Sequence, residues 1–123
     1  MVRSADEFKK RTKQFALRII RLADSLPKTS AGRHIGGQLL RAGTSVGANY
    51  RAACRARSPA EFCAKLGIVE EEADESIYWM ELLIEGELVR EHLLRNLLKE
   101  ANEILSMVIA SINTARKRKG SSS

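Results

Sequence analysis

Residues 58–86 read SPAEFCAKLGIVEEEADESIYWMELLIEG, and this stretch decides the fold. Ser58 suits an N-cap, Pro59 suits the first helical position, and Glu61 completes a capping box in which hydroxyl and carboxylate each satisfy a free backbone N–H. Phe62, Leu66, Val69, Ala73, Ile77, Met80 and Ile84 then recur at steps of three and four, so one face of a long helix is apolar. Gly86 is the expected stop, and residues 87–91 the turn. Ile68, Trp79 and Leu82 form a second apolar line beside the first, bordered by Glu72 and Glu75. An apolar second side on a bundle helix points to another subunit, with Ile68, Glu75, Trp79 and Leu82 as the contact. The alternative is that Trp79 caps the edge of the core.

Working outward, residues 4–26 predict a first helix. Ser4 and Glu7 fit a second capping box, Phe8, Phe15, Ile19, Leu22 and Leu26 form the stripe with Thr12 in its gap, and Pro27 ends it. A second helix is expected over 30–57, with Ile35, Leu39, Ala42, Val46 and Ala53 as its core face and Asn49 on the same line. Gly36, Gly43 and Gly47 share a neighbouring line with Leu40. Each helical glycine costs roughly 1 kcal/mol against alanine, so the row suggests another backbone approaching closely. Gly43 and Gly47 are therefore also candidates for an oligomer interface. A fourth helix over 89–118 carries Leu94, Leu97, Leu98, Ala101, Ile104, Leu105, Val108 and Ile112, and residues 120–123 are expected to form a disordered tail.

A chain of 123 residues with 44% hydrophobic residues and 5% aromatics suits one packed, all-α domain. Four long helices with short connections predict an antiparallel up-down-up-down four-helix bundle spanning residues 1–119. No N-terminal stretch has the pattern of a signal peptide and no apolar run nears a membrane span, so a cytoplasmic location is expected. Cys54 and Cys63 match no zinc spacing and are read as free thiols.

Charge separates along the chain. Residues 1–57 hold 13 Lys and Arg against three acids, residues 58–103 hold four against 12, and residues 104–123 hold four against none. The local net charges are +10, −8 and +4, and the whole carries +6. Such polarisation implies an electrostatic partner, the chain's own acidic stretch, or both. On the second helix, Arg41, Thr44, Ala48, Arg51 and Arg55 fall on one side, and small residues among arginines leave room for a bulky polyanion. Guanidinium groups pair bidentately with phosphate, and the Thr44 hydroxyl offers another donor. The candidate nucleic-acid-binding residues are Arg41, Arg51, Arg55 and Arg57, supported by Lys10 and Lys13. Of the aromatics only Tyr50 lies near these arginines, so backbone recognition of RNA or DNA is expected rather than base reading. The competing reading is a protein-interaction scaffold whose basic face pairs with the acidic third helix of its own or another subunit.

Catalytic and metal chemistry find no pattern. Ser, His and Asp are too sparse for a triad, and Gly36-Gly37 lacks the residues of a phosphate loop. The acids at 70–75 are not joined by a Glu-x-x-His pair, since neither His34 nor His92 follows a glutamate by three. A non-enzymatic protein without cofactor or metal is expected.

Arg41-Ala42-Gly43-Thr44-Ser45-Val46-Gly47-Ala48-Asn49 resembles the second-helix motif of the four-helix bundle proteins encoded in intervening sequences of bacterial large-subunit ribosomal RNA genes. Ser58, Phe62, Lys65-Leu66, Glu71, Glu75 and Leu82 are similar to that family's third-helix pattern, and Trp79 fits its aromatic position. The likeness spans about residues 5–115. Many members continue with Ala-Glu-Gly where this chain has Arg51-Ala52-Ala53, a departure that makes the local surface more basic. The same family includes the accessory protein of diversity-generating retroelements, a basic ring-shaped homo-pentamer that binds nucleic acid and a reverse transcriptase. The resemblance thus implies a ring-like homo-oligomer, a pentamer by that analogy, with nucleic acid as partner and ribosomal RNA or a reverse transcriptase among the candidates.

Overall fold

Ser4 and Ser58 start two of the helices in the way the capping pattern anticipates. In the computed structural model, which describes the backbone of residues 4–121 and the side chains of residues 4–118, Ser4 Oγ accepts from the Glu7 N–H at 3.0 Å. Ser58 Oγ likewise accepts from the Glu61 N–H at 3.1 Å. The Glu61 carboxylate reaches one residue further out than a standard box and accepts from the Arg57 N–H at 3.0 Å. Four helices result: α1 (Ala5–Ser25), α2 (Ser30–Cys54), α3 (Pro59–Glu85) and α4 (Glu91–Ser121). Thr29 caps α2, accepting from the Gly32 N–H at 3.1 Å.

The ends of α2 and α4 fall away from their expected places. α2 stops at Cys54, and Arg55–Arg57 become the turn. Ser58 must be extended to precede Pro59 and cap α3, with φ −151° and ψ 158°, so the chain has to reverse before it. α4 begins at Glu91 and continues to Ser121, which takes in Gly120 and Ser121 of the expected tail, while Ser122 and Ser123 lie outside the described residues.

The apolar stripes converge on one core. Phe8, Phe15 and Ile19 of α1, Leu39 and Val46 of α2, Leu66, Val69, Met80 and Leu83 of α3, and Leu94, Ile104 and Val108 of α4 are buried in it. Thr12 and Ser76 are its buried polar side chains, and each hydroxyl donates to a carbonyl of its own helix, Lys9 and Glu72 respectively. Burial of a hydroxyl is tolerated because this bond satisfies it.

Neighbouring helices run antiparallel. Gly36, Gly43 and Gly47 of α2 lie beside Leu26, Ile19 and Thr12 of α1 in that order. Arg41 and His34 of α2 meet Glu75 and Trp79 of α3, and Arg11 of α1 meets Glu100 of α4. α1 touches α4 far more sparingly than it touches α2. The glycine row therefore has a partner inside the subunit. A β-carbon on Gly43 would lie 2.8 Å from Ile19 Cγ1 and Cγ2, and one on Gly47 would lie 3.2 Å from Thr12 Oγ1. This corrects the assignment of Gly43 and Gly47 to an oligomer interface: the close approach they permit is that of α1.

Candidate nucleic-acid interface

Antiparallel packing brings the start of α1, the end of α2, the start of α3 and the end of α4 to one end of the bundle. Phe8 and Tyr50 mark that end, their rings meeting edge to face at 4.6 Å. Lys10 and Lys13 on α1, Arg51 on α2, and Arg55 and Arg57 in the following turn all sit there, and all five are exposed. None of the five forms an ion pair among the described residues. Arg51 also occupies the last turn of α2, where a cation is favoured by the helix macrodipole.

Arg41 does not belong with them. It stands ten residues before Arg51, about 15 Å back along the helix. Its guanidinium donates to Glu75 Oε2 and lies 3.4 Å from Glu72 Oε2, both on α3. Arg41 thus bridges α2 and α3, whereas the other five stand without a carboxylate partner among the described residues. Thr44 is likewise unavailable as a donor, because its hydroxyl proton goes to the Leu40 carbonyl at 2.7 Å. Tyr50 offers no stacking surface, being 7% exposed against Phe8. Burial, with the neighbouring Cys54, pushes its phenol well above the usual range.

The second apolar line of α3 lies along the α2–α3 seam. Trp79 is half-buried, donates Nε1–H to Glu75 Oε2 at 3.1 Å, and stands edge-on to His34 at 6.0 Å and Tyr78 at 5.1 Å. Glu75 therefore bonds Arg41 and Trp79 together. Leu82 is half-buried, and Ile68 is 39% exposed.

A second ion cluster had no signal in the sequence reading. Arg11 Nε and Nη2 donate to the two oxygens of Glu100 at 2.7 and 2.8 Å, and Nη2 also meets Glu103 at 2.7 Å. It clamps α1 to α4 where the helices are otherwise sparingly joined. The hydrogen bond from Arg11 holds the Glu100 carboxyl below the usual range, and the two carboxylates push the guanidinium up. Phe62 was also absent from the expected interface because it lies on the α3 core stripe. It is half-buried and stands near Arg57 at the basic end.

Among the described residues there is no group of three or more His, Cys, Asp or Glu able to hold a metal, and no helix is long and apolar enough to cross a membrane. Cys54 and Cys63 are free and half-buried. The geometry offers an exposed cationic end and an acidic α3 flank already partly neutralised by Arg41.

No curated protein matches this chain. A solved structure does: a protein of unknown function from the S23 ribosomal protein family of Bacteroides thetaiotaomicron, 36% identical, superposes with a TM-score of 0.83 over 89% of this chain and 97% of its own. The family model described as 23S rRNA-intervening sequence protein matches residues 6–110. With a family pattern over most of its length and a relative of the same fold, the chain belongs to the 23S rRNA-intervening sequence protein family.

Proposed function

We propose that this chain is a non-catalytic, oligomeric nucleic-acid-binding protein that contacts RNA or DNA backbone through the basic end of its bundle. The observation that carries this reading is the contrast among cations. Arg11, Arg41 and Arg95 are each paired with carboxylates, whereas Lys10, Lys13, Arg51, Arg55 and Arg57 are exposed together without one. Unpaired like charges repel, at a cost that a polyanion recovers by releasing its counterions. The family's tie to ribosomal RNA makes structured RNA the first ligand to test. Oligomerisation would multiply the surface, with Ile68, Trp79 and Leu82 on the α2–α3 seam as its contact.

Replacing Arg51 and Arg55 together by glutamate tests the site. The expected result is RNA affinity at least about tenfold weaker at low salt, with helicity and oligomeric mass unchanged. Wild-type affinity in that variant would remove these arginines from the interface. A second reading, a protein-interaction scaffold, draws on the Arg41 bridge to Glu72 and Glu75. It expects no saturable nucleic-acid binding and oligomers that loosen as salt rises.

A further inference from the structure

Between the α2–α3 turn and the C-terminal half of α4 lies a groove of about 980 Å³. Ala53, Phe62, Met107 and Ala110 give it apolar walls, and Arg57 of the α2–α3 turn and Arg118 of α4 also line it. Phe62 packs on the core with one side and borders the groove with the other, and is the sole aromatic in the lining. The adjoining carboxylate, Glu61, accepts from the Arg57 backbone N–H.

A ligand suited to this groove carries both an apolar face and an anion. A duplex turns phosphates outward and keeps its bases stacked inside, so it has nothing to set against the apolar wall. An unpaired nucleotide supplies both parts. The groove is at the same end of the bundle as Lys10, Lys13, Arg51 and Arg55, so a strand drawn over those cations brings its bases to it. On the reading that this end binds nucleic acid, we propose that the groove is a subsite for unpaired nucleotides of single-stranded RNA or DNA. A base packs against Phe62 and Met107, and the flanking phosphates lie toward Arg57. The subsite makes this end discriminate single strands from duplexes, which cations alone would not do.

Fluorescence anisotropy with a labelled oligouridylate and a duplex of equal length tests the subsite in full-length protein. Ala110 is exposed on α4, so Ala110→Trp fills the groove without entering the core. Phe62→Leu removes the ring and Phe62→Tyr retains it. Single-strand affinity is expected to fall at least about fivefold in Ala110→Trp and Phe62→Leu and to persist in Phe62→Tyr, with duplex affinity unchanged throughout. Unaltered single-strand binding by a fully helical Ala110→Trp, with duplex binding still saturable, would overturn the subsite while leaving the basic surface intact. If wild type binds neither nucleic acid, the basic-surface reading fails and the subsite with it. An acidic amphipathic peptide that binds wild type but not Ala110→Trp, without loss of single-strand binding in that variant, would assign the groove to a protein partner.

Discussion

Ile19 determines what position 43 can hold. The Ile19 side chain is fully buried and β-branched, so it cannot turn aside from a new β-carbon 2.8 Å from two of its atoms. Gly43→Ala is expected to lose about 1–2 kcal/mol despite its gain in helix propensity, since overpacking outweighs that gain. At Gly67, also helical, a β-carbon meets nothing within 4 Å, and Gly67→Ala should gain about 0.5–1 kcal/mol. Thermal or urea unfolding of the two variants reads the opposite signs. Arg11 sets a pH dependence in the same way. Its hydrogen bond lowers the folded-state pKa of Glu100, so the pair stabilises the fold above the ordinary carboxylate range and loses that contribution as pH falls through the lowered value. Arg11→Met should cost about 1 kcal/mol at pH 7, with the gap from wild type narrowing on acidification below about pH 4. A gap of constant size from pH 7 to pH 3 would assign the loss to packing. The clamp was illegible beforehand because 89 residues separate its partners, and nothing local in the chain marks Arg11 off from Lys10. Arg41 shows the same limit: that its basic face could pair with the acidic third helix was legible, but which cation meets Glu72 and Glu75 was not.

Helices show where local signals suffice and where they do not. The core stripes could be read because 3.6-residue periodicity is written in neighbouring residues, and Pro27 and Pro59 punctuate the chain where helices break. The end of α2 could not, because Arg55–Arg57 contain no breaker and yield only to the extended geometry required ahead of Pro59. The end of α3 is subtler. Gly86 supplies the C-cap with φ −82°, yet the left-handed residue is Glu87 at φ 61°. The Leu88 N–H then reaches the Leu83 carbonyl at 2.9 Å, closing the turn. Glycine normally takes such a left-handed position because a side chain there is strained. Glu87→Gly is expected to stabilise the bundle by about 1 kcal/mol in urea unfolding, whereas Gly86→Ala brings a β-carbon within 2.9 Å of the Leu82 carbonyl oxygen.

At the scale of the molecule, antiparallel order converts a charge pattern along the chain into one in space. The sequence places basic residues at both termini and beside Ser58, and only the topology brings those three stretches to a single end. That convergence separates Arg51, Arg55 and Arg57 from Arg41, and it sets Phe62 beside a cationic rim that a reading of aromatics by sequence distance passed over. The most direct test is a salt titration of binding to duplex DNA and structured RNA, on nuclease-treated protein of measured oligomeric mass. Engagement of Lys10, Lys13, Arg51, Arg55 and Arg57 in one subunit should give saturable duplex binding with a log–log slope of about −4 to −5, falling by about two in the Arg51→Glu, Arg55→Glu variant. Absence of saturable binding at low salt, or a slope that the double variant leaves unchanged, would contradict a nucleic-acid surface at this end of the bundle.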